Sequence, residues 1–140
     1  MQDKYRFRAW DKQEKKYIYD VEKGLNVVSQ PTGNIRVLSI AEIDNSERYV
    51  LEQCSGLKDN DGRLIYENDI VRIIGDYNAE QNWVRFDGGR FTANGYPGWG
   101  SLQMDAAATT DYIFEVIDNV HESSKWNKYY KEVETFEQER

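Results

Sequence analysis

Four groups of residues in this chain are of types that could do chemistry. The first is the acidic turn Asp59-Asn60-Asp61-Gly62. Placing Gly62 at the sixth position of a calcium loop puts Asp59 at the third and Asp61 at the fifth, as a calcium site requires. The same register puts Leu57 at the first position and Asn68 at the twelfth, where carboxylates are needed. Two ligands fail, so the turn reads as Asp, Asn and Gly chosen for turn geometry. The second group is Cys54 with His121, the only thiol and the only imidazole. Nucleophilic catalysis needs a nucleophile with a base beside it. These two fall at the ends of separate predicted strands, and one Cys with one His cannot fill a four-ligand zinc site. Third, Gly88-Gly89 leads into Arg90-Phe91-Thr92 rather than into a helix, and no phosphate-loop pattern exists. Acidic pairs form the last group, too numerous for any one to be informative. No catalytic, metal or cofactor-binding residue is expected, and the chain reads as a non-enzyme.

One stretch has binding character. Trp83, Arg85, Phe86, Arg90, Phe91, Tyr96 and Trp99 interleave arginines with aromatics beside a glycine-rich loop, as in the stacking platforms of single-strand binders. Alternatively, the aromatics are core and the arginines its solvated face. The charge favours the second reading: 18 basic and 25 acidic residues leave a formal −7. An acidic chain is repelled by phosphate backbones and anionic membrane surfaces. Nucleic acid is therefore an unfavoured partner, and no affinity for duplex DNA is expected at physiological salt.

Elements of strand type must position all of these residues. The 140 residues suffice for one domain with a real core, and aromatics make up 14% of them, which suits a small β-rich body. Tyr5 to Trp10 alternates Tyr5 and Phe7 with Arg6 and Arg8, the period of a half-buried strand. With Tyr17-Ile18-Tyr19 it reads as a hairpin. Turns flank Val27-Val28, at Gly24 and at Pro31-Thr32-Gly33, and Ile35 to Ile43 reads as a strand, alone or ending in a bend. Further strands are expected at Tyr49-Leu51 (ending near Cys54), Ile70-Ile74 (stopped by Gly75-Asp76) and Tyr112-Val120, with a short apolar run at Leu64-Ile65. Trp83-Phe86 and Arg90-Thr92 form a hairpin across Gly88-Gly89, with a loop from Gly95 to Gly100. Leu64, Ile65, Ile70, Val71 and Ile73 are core candidates.

Past His121 the period changes. Trp126, Tyr129, Tyr130, Val133 and Phe136 share one face of a helix, capped by Ser123 or Ser124. The expected division is a β domain over 1–122 and an amphipathic helix over 123–140. A helix this short must dock to persist, either on its own β domain or on a second copy of the chain. A single cysteine and an N-terminus without an apolar core suit the reducing cytoplasm.

Three blocks resemble the YopX family of phage and prophage proteins. They are Tyr5-Arg6-Phe7-Arg8-Ala9-Trp10-Asp11-Lys12 with Tyr17-Ile18-Tyr19, then Gln53 to Ile73, then Phe114 to Glu122. The middle block is similar to the family's Y-T-G-L-K-D-x-x-G-x-x-I-Y-E-G-D-I-V. Cys54 departs from the family's Thr or Tyr, and Asn68 and Asp118 each stand where it has Gly. The resemblance implies a mainly β protein with an SH3-like small barrel and a phage or prophage origin. It implies no catalytic residues. With the C-terminal helix added, the expectation is an accessory protein of the host bacterial cytoplasm that binds a host or phage protein. The alternative is a nucleic-acid-binding barrel using Trp83, Arg85, Arg90, Tyr96 and Trp99. A homo-oligomer would assemble through Trp126, Tyr129, Tyr130, Val133 and Phe136.

Overall fold

Aromatic and β-branched residues at alternate positions lay down strands along most of the chain. The computed structural model describes residues 5–24, 26–74, 79–95, 101–104 and 112–138. It divides into two compact units, Met1–Gly56 and Leu57–Arg140. The fold is mainly β with a C-terminal helix, as the sequence led us to expect.

In the first unit, β1 (Phe7–Asp11) lies between β2 (Lys16–Tyr19) and β5 (Tyr49–Lys58), antiparallel to both. The expected hairpin is present. The half-buried strand is not: Arg8, Ala9, Trp10 and Asp11 are all buried. A central strand covered on both faces loses the polar-out alternation, and its arginine is buried with a partner. A second hairpin pairs β3 (Asn26–Ser29) with β4 (Ile35–Leu38) in a separate two-stranded ribbon. The chain reverses at Pro31–Gly33, where Gly33 N–H donates to the Gln30 carbonyl at 2.9 Å and Gly33 takes φ +89°. After β4 comes α1 (Ile40–Asp44), started by a capping box: Ser39 Oγ accepts from Glu42 N–H, and Glu42 Oε1 accepts from Ser39 N–H. The core of this unit gathers Ala9, Val21, Val28, Leu38, Ile43 and Tyr49.

The second unit is a curled antiparallel sheet ordered β10-β9-β8-β7-β11. Its strands are β7 (Asp69–Ile74), β8 (Ala79–Asp87), β9 (Arg90–Gly95), β10 (Ser101–Gln103) and β11 (Ile113–Asn119), preceded by the short β6 (Leu64–Tyr66). The tight turn of the β8–β9 hairpin is Gly88-Gly89, both at positive φ, the backbone a two-residue loop requires. Ile65, Val71, Ile73, Val84, Phe91, Ala93, Met104 and Phe114 fill the concave side. On the opposite face Ile70, Trp83 and Val120 are covered by Trp126 and Tyr130 of α2 (Ser124–Gln138). Adjacent residues Ile70 and Val71 are thus both buried, because both faces of β7 are covered. Residues 75–78 and 96–100 lie outside the described residues, and with them the Gly75-Asp76 stop and most of the expected Gly95–Gly100 loop.

Candidate functional site

Asp59, the residue with the strongest metal-ligand character in the sequence, is buried and fully occupied by backbone donors. Its Oδ1 accepts from Asp61 N–H and Arg63 N–H, each at 2.9 Å, and its Oδ2 from Val116 N–H at 3.1 Å. Asn60 N–H donates to the Phe114 carbonyl at 2.8 Å. The turn therefore does two jobs. It reverses the chain between β5 and β6, and it occupies outward groups of β11, which closes one edge of the five-stranded sheet.

The next turn follows the same logic. Asp69 Oδ2 accepts from Tyr66 N–H at 2.9 Å. Asn68 sits at φ +70°, a left-handed conformation that Gly and Asn tolerate best. Its N–H donates to the Val84 carbonyl, its carbonyl accepts from Val120 N–H, and its Oδ1 accepts from Trp83 Nε1 at 2.9 Å. The Asn that departs from the family's Gly thus keeps the backbone conformation and adds a tie to Trp83. Asn119 closes β11 in a similar way, its Oδ1 accepting from both His121 N–H and Glu122 N–H at 3.0 Å.

Of the expected stacking platform, Trp83, Arg85 and Arg90 share one face of the β8–β9 hairpin, and α2 engages the first two. Trp83 is 3% exposed, with its ring edge-on to Tyr129 and Tyr130 of α2. Arg85 lies over the Trp83 ring at 4.6 Å and pairs with Glu137 of α2 at 2.7 Å. Arg90 is exposed beside the hairpin turn, opposite Asp87. Tyr96 and Trp99 lie outside the described residues. Of the helix stripe, Trp126 and Tyr130 are buried against the unit's own sheet and Tyr129 and Val133 pack at the margin, while Phe136 is 63% exposed. Trp126 Nε1 donates to Gln81 Oε1 at 2.7 Å, and Ser123 Oγ, at the cap, accepts from Trp126 N–H. The helix docks on its own unit, and Trp83 and Arg85 belong to that docking surface.

Cys54 is buried in the first unit and His121 belongs to the second. The charged groups inside the first unit are paired. Arg8 Nε donates to Glu52 Oε1 at 2.8 Å with both side chains almost fully buried, and the guanidinium lies 3.9 Å over the Tyr17 ring. Asp11 receives a two-pronged contact from Arg48 at 2.8 and 2.9 Å, and also accepts from Gln13 N–H and Glu14 N–H. Burial pushes the Asp11 carboxyl up. The Arg48 guanidinium and the two backbone donors more than reverse this, so it sits below the usual carboxylate range. The same pairing raises Arg48, and burial raises the Tyr49 hydroxyl. Among the described residues no group of three or more His, Cys, Asp or Glu is placed to hold a metal ion, and no helix is long and apolar enough to cross a membrane.

Among the exposed apolar side chains of the described residues, the three on the β3–β4 ribbon lie together on one face. The ribbon's inward face packs Val28 and Leu38 into the first unit's core. Its outward face shows Val27 at 67%, Ile35 at 72% and Val37 at 47% exposure, with Val27 directly opposite Val37. The valine pair and the Pro-Thr-Gly turn were visible in the sequence. That one face would be left bare was not, because alternation alone does not say what covers the second face.

A mainly β chain with a curled antiparallel sheet, a helix docked across it and a turn strapped to the sheet edge defines the class. A family model described as YopX protein matches residues 6–126, and the chain belongs to that family. Two solved structures share the fold. Protein EF1440 from Enterococcus faecalis is 24% identical with a TM-score of 0.51, over 84% of this chain and 93% of that one. Protein yopX from Bacillus subtilis is 18% identical with a TM-score of 0.53, over 86% of this chain and 95% of that one. No curated protein matches the chain.

Proposed function

We propose that this chain is a non-enzymatic accessory protein of a phage or prophage, acting in the cytoplasm of a bacterial host by binding a host or phage protein. One observation carries the reading: three β-branched side chains, Val27, Ile35 and Val37, stand exposed together on a ribbon whose other face is core. A contiguous apolar patch rimmed by polar residues is the mark of an interaction surface. The side chains with chemical potential support it from the other direction. Asp11, Asp59, Asp69, Arg48 and the Arg8–Glu52 pair hold backbone or one another in place. Trp83 and Arg85 serve the helix, which draws support away from nucleic-acid stacking on that hairpin.

Charge distribution agrees. Residues 1–56 hold nine basic and nine acidic residues, so the unit with the ribbon is neutral. Residues 57–140 hold nine basic and sixteen acidic and supply the whole −7. A neutral surface with an apolar patch suits a protein partner and offers phosphate no attraction. The test is capture from a bacterial host lysate by the wild-type chain and by the double variant Val27→Lys with Val37→Lys, with co-purified nucleic acid measured in parallel. A protein retained by the wild type, lost with the variant and insensitive to nuclease supports the proposal. Equal capture by both, or nuclease-sensitive capture, overturns it.

A further inference from the structure

We infer that the ribbon takes its partner as an added strand: an extended segment of another protein pairs with the free edge of β4, its β-branched or aromatic side chains on the Val27, Ile35 and Val37 face and an acidic residue beside Arg36. This rests on the protein-binding reading above and specifies the partner's chemistry at the same surface.

Three observations converge. The first is the state of the edge. Gln30 N–H donates to the Asn34 carbonyl at 2.7 Å, which makes Gln30 and Asn34 a bonded pair. Bonded and non-bonded pairs alternate along an antiparallel ladder. In the observed register Val28 and Arg36 are then bonded, whereas Ile35 and Val37 belong to non-bonded pairs and turn their N–H and C=O groups outward. Every residue from Pro31 to Val37 is exposed, and β3 is the only strand paired with β4 among the described residues. Contrast the edge of the second unit, where Asp59 and Asn60 occupy β11. One edge is guarded and the other is left open.

The second observation is area. The three outward side chains expose on the order of 300 Å² of apolar surface, against about 800 Å² per partner in a stable protein interface. Such a patch cannot hold a folded partner by packing alone. An added strand does not need it to, because main-chain hydrogen bonds supply affinity and alternate side chains supply specificity.

Charge favours a different chain over a second copy in the register that uses both outward pairs. A twofold pairing of β4 with itself, using the outward groups of Ile35 and Val37, is centred on Arg36. It sets two guanidinium groups at directly opposed positions whose Cα atoms lie about 4.5 Å apart, and like charges there are destabilising. A partner strand with Asp or Glu at that position removes the conflict. Arg36 already shows this preference within the chain, meeting Glu42 at 3.5 Å.

The experiment uses the full chain, labelled with ¹⁵N, and two capped synthetic peptides. One alternates valine and threonine around a central glutamate; the other has lysine there. The glutamate peptide should shift the Ile35 and Val37 amides, slow their exchange with solvent, and bind at least threefold tighter than the lysine peptide. Arg36→Glu should reverse that preference. Val37→Pro removes one outward donor and leaves the ladder bonds intact, since that N–H is not in the ladder. It should abolish binding while the amides of Ala9, Val21 and Ile43 in the first unit's core stay unchanged. Ile35→Lys, which leaves the backbone donors in place, should weaken binding through the apolar face alone. Shifts at β4 without peptide that grow with protein concentration would make the occupant a second copy and overturn the inference. So would shifts confined to other strands, or none at millimolar peptide. These outcomes leave the capture experiment above standing as a separate test of protein binding.

Discussion

Removing the Asp59 carboxylate should cost more stability than any other single change in an exposed-looking turn of this chain. Three backbone N–H groups point at it, from Asp61, Arg63 and Val116, at 2.9 to 3.1 Å, and the residue is 7% exposed. A hydrogen bond to a charged group contributes about 1.5–3 kcal/mol, and a buried donor left without a partner costs about 1–3. The two donors in the turn regain water in part. Val116 N–H loses the strap that joins the turn to the edge strand β11. Asp59→Ala should therefore lose about 3–4 kcal/mol. Asp59→Asn separates the contributions. Its carbonyl can replace Oδ1 toward Asp61 and Arg63, but its amide then faces the Val116 N–H donor to donor, and a loss of about 1–2 kcal/mol is expected. Urea unfolding of the full chain, followed by tryptophan fluorescence, measures both. Asp59→Ala within about 0.5 kcal/mol of wild type, the usual range for a neutral surface change, would show that the carboxylate is not structural. A ligand-binding role for the turn would then reopen. Asn equal to wild type would show that the strap to β11 contributes nothing.

Three further expectations are independent of that turn. Glu52→Ala should cost about 3–5 kcal/mol because it strands the Arg8 guanidinium in the core, whereas replacing Arg8 and Glu52 together by Met and Leu should be far milder or stabilising; chemical denaturation of both variants decides. Trp126→Ala, removing a side chain 1% exposed against Ile70, Trp83 and Val120, should cost about 3–5 kcal/mol, while Phe136→Ala should stay within about 0.5, and amide exchange in α2 should rise only for the former. Asp11 has a folded-state pKa below that of the unfolded chain, so the stability it contributes is present above the unfolded carboxylate's value of about 3.9 and is lost as pH falls through the folded one. Asp11→Asn should be less stable at pH 7 and should show a shallower loss below pH ~4 than wild type, read from acid unfolding curves.

The strands that alternate with solvent on one side were legible from sequence, and so were the β8–β9 hairpin at Gly88-Gly89 and the α2 stripe. Where the structure covers both faces, periodicity misleads. Arg8 reads as a solvated residue of a half-buried strand because nothing local announces Glu52, forty-four positions later in the chain. The end of the expected Ile35–Ile43 strand is the helix α1: Ser39 and Glu42 have capping-box spacing, but five residues carry too little apolar period to announce a helix. The strand expected to end near Cys54 continues to Lys58, with Gly56 at φ +83°. The favoured reading of Trp83 as core agrees with its burial, whereas Arg85, expected on a solvated face, pairs with Glu137, because adjacency within a strand does not show which helix will lie across it.

A pattern runs through these differences that bears on function. The family's middle block, with its Lys-Asp, Gly and Glu-x-Asp signals, has the look of a site, and in this chain three of its polar residues hold turns and strand ends in place. Asp59 straps β11, Asn68 ties β8 and Trp83 to the end of β11, and Asp69 holds the turn after β6. Such a block fixes a scaffold, whatever binds to it. The β3–β4 ribbon lies outside all three blocks that carry the resemblance, between the first and the second. Segments carried at the surface of a rigid scaffold are where binding residues are disproportionately found. Exchanging residues 26–38 between family members, with the frame kept, should therefore move partner choice with the ribbon while leaving the unfolding midpoint of the second unit where it was. Partner choice that stays with the frame when the ribbon is exchanged would refute the placement.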